Sequence, residues 1–585
     1  MAVGALWRAA LVGGLLCAIG VLPWLSRTDP ALTVLKARSA ERDPAPEVLA
    51  AVRDQLGLDD GPGRLLLHWM LGLARGDAGH SWISGAAVLP AVGQALGASL
   101  LLMATALGVA AVTAAALCAR TVRLGARRAP AARRTGGAAA MLAALPEFLT
   151  ASVLATVVGV HLGWLPALGW EGPRWLVLPA LALGLPAGAL LGRLLDDTLP
   201  GAFTEPWATA AAARGIPGGR IARQAVLRCL PGLLPNLGLF VAGLTGGAVA
   251  VEQIFDIPGL GRLTLQAALA QDLPVLQTGA LALLLLAAVA GAAARGAGRL
   301  LLGPVLRDGA LQTLHRPAPR APSRARRALP LLYGAPLFAA IGAGLPRDPL
   351  ALDPAARLGT PSWAHPFGTD ALGRDVLARI GHGALTTLVL ALAVTAAALL
   401  AGVLLGLVPR VAGAAVDTVN AVPPVLAGLL VAGVAGPGPA TPALAVAAVA
   451  WAPLAAHTSA LLLQERATTH LAATRALGAG RLHLLRRALL PAVVPPVTRH
   501  ALLRLPSMAL ALASLSFLGL GAQPPSPEWG LLLAENLPYA ERAPWTVLAP
   551  AAVLALLGAL AVTTAEAVRG GASLRSAPGT PGNPE

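Results

Sequence analysis

Apolar stretches of about 20 residues, the length a helix needs to cross a bilayer, recur along the chain. In the first half they fall near residues 5–25, 90–117, 138–160, 175–196, 232–254 and 275–302. The second half repeats the count with 328–345, 384–408, 413–435, 441–463, 498–520 and 544–567. Asp417 and Asn420 interrupt the third of these later runs, and Arg499 and Arg504 the fifth. The pattern predicts an all-α fold: a polytopic transmembrane helical bundle of about 12 spans, built as two six-span repeats. The opening run, Ala9 to Leu25, follows Arg8 as a signal peptide would. It lacks a clean small-residue cleavage site and many spans follow, so it reads as an uncleaved first helix.

Composition narrows the class further. Of 585 residues 56% are hydrophobic and 12% charged, with a mean hydropathy of +0.69, which no ordinary soluble domain combines. The formal charge of +16 is almost all arginine, Lys36 being the only lysine. This reads as a bias of base composition, and no nucleic-acid partner is expected. Cys17, Cys118 and Cys229 lie in or beside apolar segments without paired spacing, so they read as small core residues and not as a disulfide framework or metal knuckle.

Charge placement sets the expected orientation. Loop 118–137 carries Arg120, Arg123, Arg127, Arg128, Arg133 and Arg134 with no acid, and so belongs on the cytoplasmic side. Segment 26–89 mixes both signs and is the exported loop, which puts the N-terminus inside. Residues 303–327, with "HRPAPRAPSRARR", read as a solvated cytoplasmic linker. Six spans before this linker mean that both halves enter the membrane with the same polarity, as parallel repeats. The expected organisation is a first half over 1–302, the linker over 303–327, a second half over 328–570 and a disordered tail over 571–585. Both termini are then cytoplasmic.

The repeat shows in the letters. "WATAAAARGIPGGRIARQAVLR" (207–228) lies on "HLAATRALGAGRLHLLRRALLP" (470–491) at a constant offset of 263, matching Gly215 with Gly478, Arg223 with Arg486, Ala225 with Ala488 and Leu227 with Leu490. Farther on, "AQDLP" (270–274) faces "AENLP" (534–538) at offset 264. Each of the first pair sits in the cytoplasmic loop between the fourth and fifth spans. Glu205 to Arg214 and Thr468 to Leu477 are predicted helices about 15 Å long, each ended by a glycine suited to a left-handed cap. A short helix held across the bilayer surface is a lever that tilts both adjoining spans together. An interfacial helix with no partner is the plainer alternative.

These residues resemble the cytoplasmic coupling motif of bacterial ATP-binding cassette importer permeases. More closely, the first half resembles one permease of the dipeptide, oligopeptide and nickel importer group, and the second resembles its companion permease. The supporting stretches are "RGDAGHSWISG" (75–85), "LGWLPALGW" (162–170) and "VEQIFDIPGLGRL" (251–263), then "HPFGTDALGRDVLARIGHGA" (365–384) and "SLSFLGLGAQPPSPEWG" (514–530). Two companion permeases fused in one chain are therefore expected. The resemblance implies that Glu205, Thr209, Arg214, Gly215, Arg223, Thr468, Arg475, Gly478 and Arg486 belong to loops that dock on two ATP-binding cassette ATPase subunits. It implies a bacterial inner-membrane location and an external solute-binding protein that meets the outer surface. It also implies peptides or related small solutes as cargo. The sequence departs from the pattern in the Gly- and Pro-rich "GIPGGR" and in the short "VPRVAG" loop.

Residues Gly519 to Leu537, with their counterparts Ile257 to Leu273, are expected as fixed turns at the outer mouth. Pro524, Pro525 and Pro527 end the helix there, and Trp529 suits a headgroup-level ring. For Asp370, Arg374 and Asp375 two readings stand, docking of the binding protein and capping with surface ion pairs. Glu147, inside the third span, has two as well: it lines the translocation pathway and meets a cationic cargo group, or it pairs with a loop arginine. No phosphate-binding loop surrounds Lys36 in "LTVLKARSA", so the chain is not expected to be an enzyme and its energy must come from other polypeptides. No cofactor and no metal site are expected, although nickel chelates stay open as cargo. The competing function is an ion-gradient-driven secondary transporter, which can share the parallel repeat.

Overall fold

In a computed structural model of the chain, residues 13–14, 16–26, 31–32, 35, 46–55, 61–129, 137–302, 324–420 and 422–575 are described. The expected tail beyond Arg575 and most of the linker lie outside them, as does the start of the first expected span. Among the described residues there is no strand, only two isolated bridges, His80 with Ala87 and Thr369 with Asp375.

Besides the helices Pro46–Gln55, Pro62–Ala74 and Gly137–Leu142, the first half includes α1 (Leu22–Leu25), α2 (Val88–Ala126), α3 (Glu147–Leu154, continued as a wide turn Ala155–His161), α4 (Val177–Thr204), α5 (Pro206–Ala213), α6 (Gly218–Ile254), α7 (Leu260–Leu269) and α8 (Leu273–Leu302). The second comprises α9 (Arg324–Gly344), α10 (Val376–Gly406), α11 (Pro409–Asn420), α12 (Pro424–Ala435), α13 (Thr441–Arg466), α14 (Thr469–Ala476), α15 (Leu490–Phe517), α16 (Trp529–Asn536) and α17 (Trp545–Arg575). Among the described residues seven helices are long and apolar enough to cross a membrane, and three shorter apolar ones, Glu147–His161, Ala328–Gly344 and Pro424–Ala435, fill further expected spans. Helix α6 fills the fifth, so a two-repeat transmembrane bundle is what the chain builds.

Both third spans differ from the continuous helices expected. In the first half a short helix, Gly137–Leu142, stops, and α3 starts afresh at Glu147 after Pro146. In the second, α11 ends at Asn420 and α12 starts after Pro423. A proline has no N–H to donate and its ring clashes with the preceding turn, so each break falls where a proline stands.

These broken spans tie the halves together reciprocally. Gly558 of α17 packs so closely on the break of the first half that an added Cβ would lie 3.1 Å from the Ala144 carbonyl oxygen. Tyr333 of α9 donates to Met141 Sδ at 2.8 Å. In the mirror arrangement, Gly433 of α12 packs on Leu276 of α8 and Leu22 of α1. The third span of each half thus rests on the first and last spans of the other. One continuous apolar core runs through both halves, from Ile19 and Leu102 to Leu532 and Leu557.

Candidate functional site

Helix α2, at 39 residues, is about 58 Å long, well beyond the roughly 30 Å of a hydrocarbon core, so one end of the bundle projects from the membrane. Helices α5 and α14 sit at that end. Glu205 is the residue before α5, and its carboxylate holds Arg228 of α6 at 2.7 Å. Below it, Ala208 and Ala211 bury against Ile221 with Phe203, Trp207 and Ile216 around them. Thr468 takes the equivalent place before α14, and its hydroxyl accepts the Leu471 N–H at 3.4 Å. Leu471 is the one buried residue of that helix.

Both helices end as the sequence predicts, within one residue. Gly215 has φ +76° and Gly478 φ +91°, the left-handed region that a β-carbon disfavours. Gly215 N–H donates to Ala212 O and Ile216 N–H to Ala211 O, both at 3.1 Å. Gly478 N–H donates to Arg475 O at 3.0 Å and Ala479 N–H to Thr474 O at 3.4 Å. This is the same two-bond helix stop made twice, 263 residues apart. Thr209, Arg214, Arg223, Arg475 and Arg486 are all exposed around it. Leu477, 89% exposed, stands where the first half has Arg214, so α14 offers an apolar tip and α5 a charged one.

Glu147 is the first residue of α3, and its side chain lies on the backbone of α6: a Cβ added to Gly247 would come within 2.9 Å of its Cγ and Cδ. A Cβ on the neighbouring Gly246 would meet Pro423, from the break in the second half, at 3.0 Å. The two broken spans therefore converge on adjacent glycines. Phe148 brings α15 into the same place, its ring 5.4 Å from that of Phe517. No basic side chain pairs with Glu147 among the described residues.

At the opposite end, the segments expected as outer turns fold back into the bundle as α7 and α16. Trp529 is fully buried in protein and not turned toward lipid headgroups, and its Nε1 donates to the Ile380 carbonyl at 2.9 Å. Asp370 and Arg374 are buried too. Arg374 Nε meets Asp370 Oδ2 at 2.7 Å; Arg379 Nη1 meets the same oxygen at 2.9 Å and its Nη2 reaches Glu535 Oε2 at 2.6 Å. Asp375 starts α10, accepting the Leu377 and Ala378 N–H groups at 2.8 and 3.2 Å, and it also binds Arg347 at 2.6 Å. These residues thus sit inside the folded segment at this end of the bundle, in capping and ion-pairing positions.

Sequence reading passed over a second repeat. Counted from the starts of α2 and α10, Ser99 and Thr387 occupy the same position. Ser99 Oγ donates to Glu252 at 2.6 Å and accepts Leu260 N–H at 2.8 Å, while Glu252 accepts Arg262 N–H at 2.9 Å, so the pair caps α7. In the second half Glu528 caps α16, accepting Leu531 N–H at 3.0 Å and the Thr387 hydroxyl at 3.3 Å. The carboxylate has moved from the fifth span to the cap, and Ser516 stands where offset 264 puts Glu252. Only the paired letters could have signalled this.

The family model described as binding-protein-dependent transport system inner membrane component matches the chain twice, over residues 111–302 and 393–569. A putative peptide permease protein of Brucella suis is 35% identical over 197 residues, 32% of this chain and 65% of the relative. A di/tripeptide transport system permease protein of Pseudomonas aeruginosa is 36% identical over 181 residues, 30% of this chain and 60% of the relative. A glutathione transport system permease protein of Escherichia coli is 30% identical over 234 residues, 40% of this chain and 75% of the relative. The chain thus spans less than two thirds of the length of the first two.

Proposed function

We infer the function from the premise that the chain belongs to the family of binding-protein-dependent transport system inner membrane components, whose domain it carries twice. The two domains form, within one polypeptide, both halves of the translocation pathway of an ATP-driven importer. Its cargo is peptides or related small solutes, nickel chelates included, delivered by an external binding protein. The chain hydrolyses nothing itself; two ATPase subunits supply the energy. It sits in the bacterial inner membrane with both termini, α5 and α14 in the cytoplasm and α7 and α16 facing outward.

The observation that carries this reading is the pair of short helices with identical glycine stops at one end of a duplicated bundle. The first is held to its spans by the Glu205–Arg228 pair and the buried Ala208, Ala211 and Ile221, and the second is seated by Leu471, so a force on either helix moves the spans it joins. Glu205, Thr209, Arg214, Gly215 and Arg223 form one docking element, and Thr468, Arg475, Gly478 and Arg486 the other. Glu147 lines the pathway where the broken spans converge. Asp370, Arg374, Asp375 and Trp529 act by holding the outer docking surface in shape from within. An ion-gradient-driven transporter would leave both short helices and the family membership without a purpose.

Copurification of the full chain from its native membrane, with mass spectrometry, tests the proposal. Two phosphate-loop ATPases and a secreted binding protein should accompany it; a chain that purifies without any ATPase would sink the reading.

A further inference from the structure

Val493, Val497, His500, Arg504 and Met508 follow one another along α15 at steps of three and four, and so share one face of the helix. Val493, Val497 and Met508 are buried, whereas Leu502, on the opposite side, is 56% exposed. The stripe therefore faces protein. From α13, the half-buried His457 lays its ring on that of His500, centroids 4.8 Å apart and planes tilted by 38°. Arg504 stands one turn farther along, half-buried, and no acid pairs with it among the described residues. It lies about 20 Å along the helix from Phe517, within the span.

The fold does not require these groups. At offset 263 the first half has Leu194, Leu237 and Val241; at offset 264 the last two become Asn236 and Phe240. None is basic, yet the first half builds the same pair of helices. A cation held inside a span without a counter-charge is costly and calls for a partner that comes and goes.

We propose that His457, His500 and Arg504 form an anion subsite within the second half that receives a carboxylate of the cargo during its passage. The proposal rests on the permease reading, since it needs a cargo. The guanidinium offers a planar fork that matches a carboxylate through two parallel hydrogen bonds. The imidazoles add ring N–H donors beside it without requiring fixed charge, which keeps the hold reversible, as a conducting site must be. Glu147, on α3 against α6, is a separate station of opposite sign. Cargo with a free carboxylate, such as an unblocked peptide, is then the class that this half favours.

The test uses the full chain in nanodiscs of phosphatidylcholine, with N-acetyl-alanyl-alanine as the carboxylate probe and its C-terminal amide as the neutral one, followed by saturation-transfer NMR. Wild type should bind the carboxylate probe and not the amide, and Arg504→Gln should weaken that binding by about tenfold or more, with Arg504→Lys in between. Should Arg504→Gln fail to insert, His500→Phe, which keeps a ring against His457, carries the same readout with a smaller loss. Equal binding of both probes, no binding by wild type, or unchanged binding in the variants would overturn the subsite, while the permease reading stands or falls on copurification. In nanodiscs with phosphatidylglycerol the probe should still bind. Its complete exclusion there, together with loss of bound phosphatidylglycerol in Arg504→Gln, would assign the site to a lipid phosphate and overturn the cargo carboxylate.

Discussion

Arg379 donates to Glu535 at 2.6 Å across 156 residues of sequence, joining the start of α10 to the end of α16. The guanidinium is fully buried and also holds Asp370. Such a group stabilises little in net terms when intact, because desolvation offsets the attraction, but its removal leaves Asp370 and Glu535 to share Arg374 as their one remaining cation. Arg379→Ala should therefore fall toward the lower end of the about 3–5 kcal/mol that breaking a buried ion pair costs. Glu535→Gln, which leaves Asp370 paired with both arginines, should cost less. Thermal unfolding of the detergent-solubilised chain, followed by size-exclusion fluorescence, should show this order; equal midpoints for wild type and Arg379→Ala would refute it.

Gly478→Val tests the lever. Nothing lies within 4 Å of a Cβ built at Gly478 or Gly215, so the penalty is purely one of backbone conformation, about 1–2 kcal/mol. Coupling energies between sites are of similar size, about 1–3 kcal/mol, so the variant should insert normally yet lose stimulation of the partner ATPase by loaded binding protein. Gly478→Asn, which tolerates positive φ, should retain most of it. Gly215→Val should act more mildly, since "GIPGGR" has neighbouring glycines to absorb the strain. Normal stimulation in the double variant would remove the short helices from the mechanism.

How much of this was legible differs by residue. The ends of α5 and α14 were, because an alanine run closed by glycine is a local signal. The breaks at Pro146 and Pro423 were not: hydropathy summed over a span stays high across them, and membrane helices tolerate proline often enough to leave the choice open. Trp529 was misplaced because its burial depends on Ile380, 149 residues earlier, accepting its N–H. The roles of Asp370 and Arg374 likewise depend on Arg379 and Glu535, and no local pattern reports a partner that far away in sequence.

Topology can be read with tags. Placed at residue 320 and after residue 585, they should both be protected in right-side-out vesicles, while tags near 45 and 355 should be labelled from outside. Opposite labelling at 320 and 585 is the outcome that parallel repeats forbid.

Glu147→Gln should lower uptake of cationic cargo severalfold while the complex still assembles, and Gly247→Ala, whose methyl group would displace the carboxylate, should act in the same direction. Uptake measured across cationic, neutral and anionic peptides decides it. A flat profile would return Glu147 to a structural part.

The crossed packing of the third spans bears on how the molecule is made. When the ribosome has released the first 302 residues, Ala144 and Met141 still await Gly558 and Tyr333, and Leu276 still awaits Gly433. The early half therefore waits in the bilayer with two unfinished faces until the last span of the second half has been made. Shortened products should be easy prey for membrane proteases, and joining the halves by a tether ensures that the late half to arrive is always the right one.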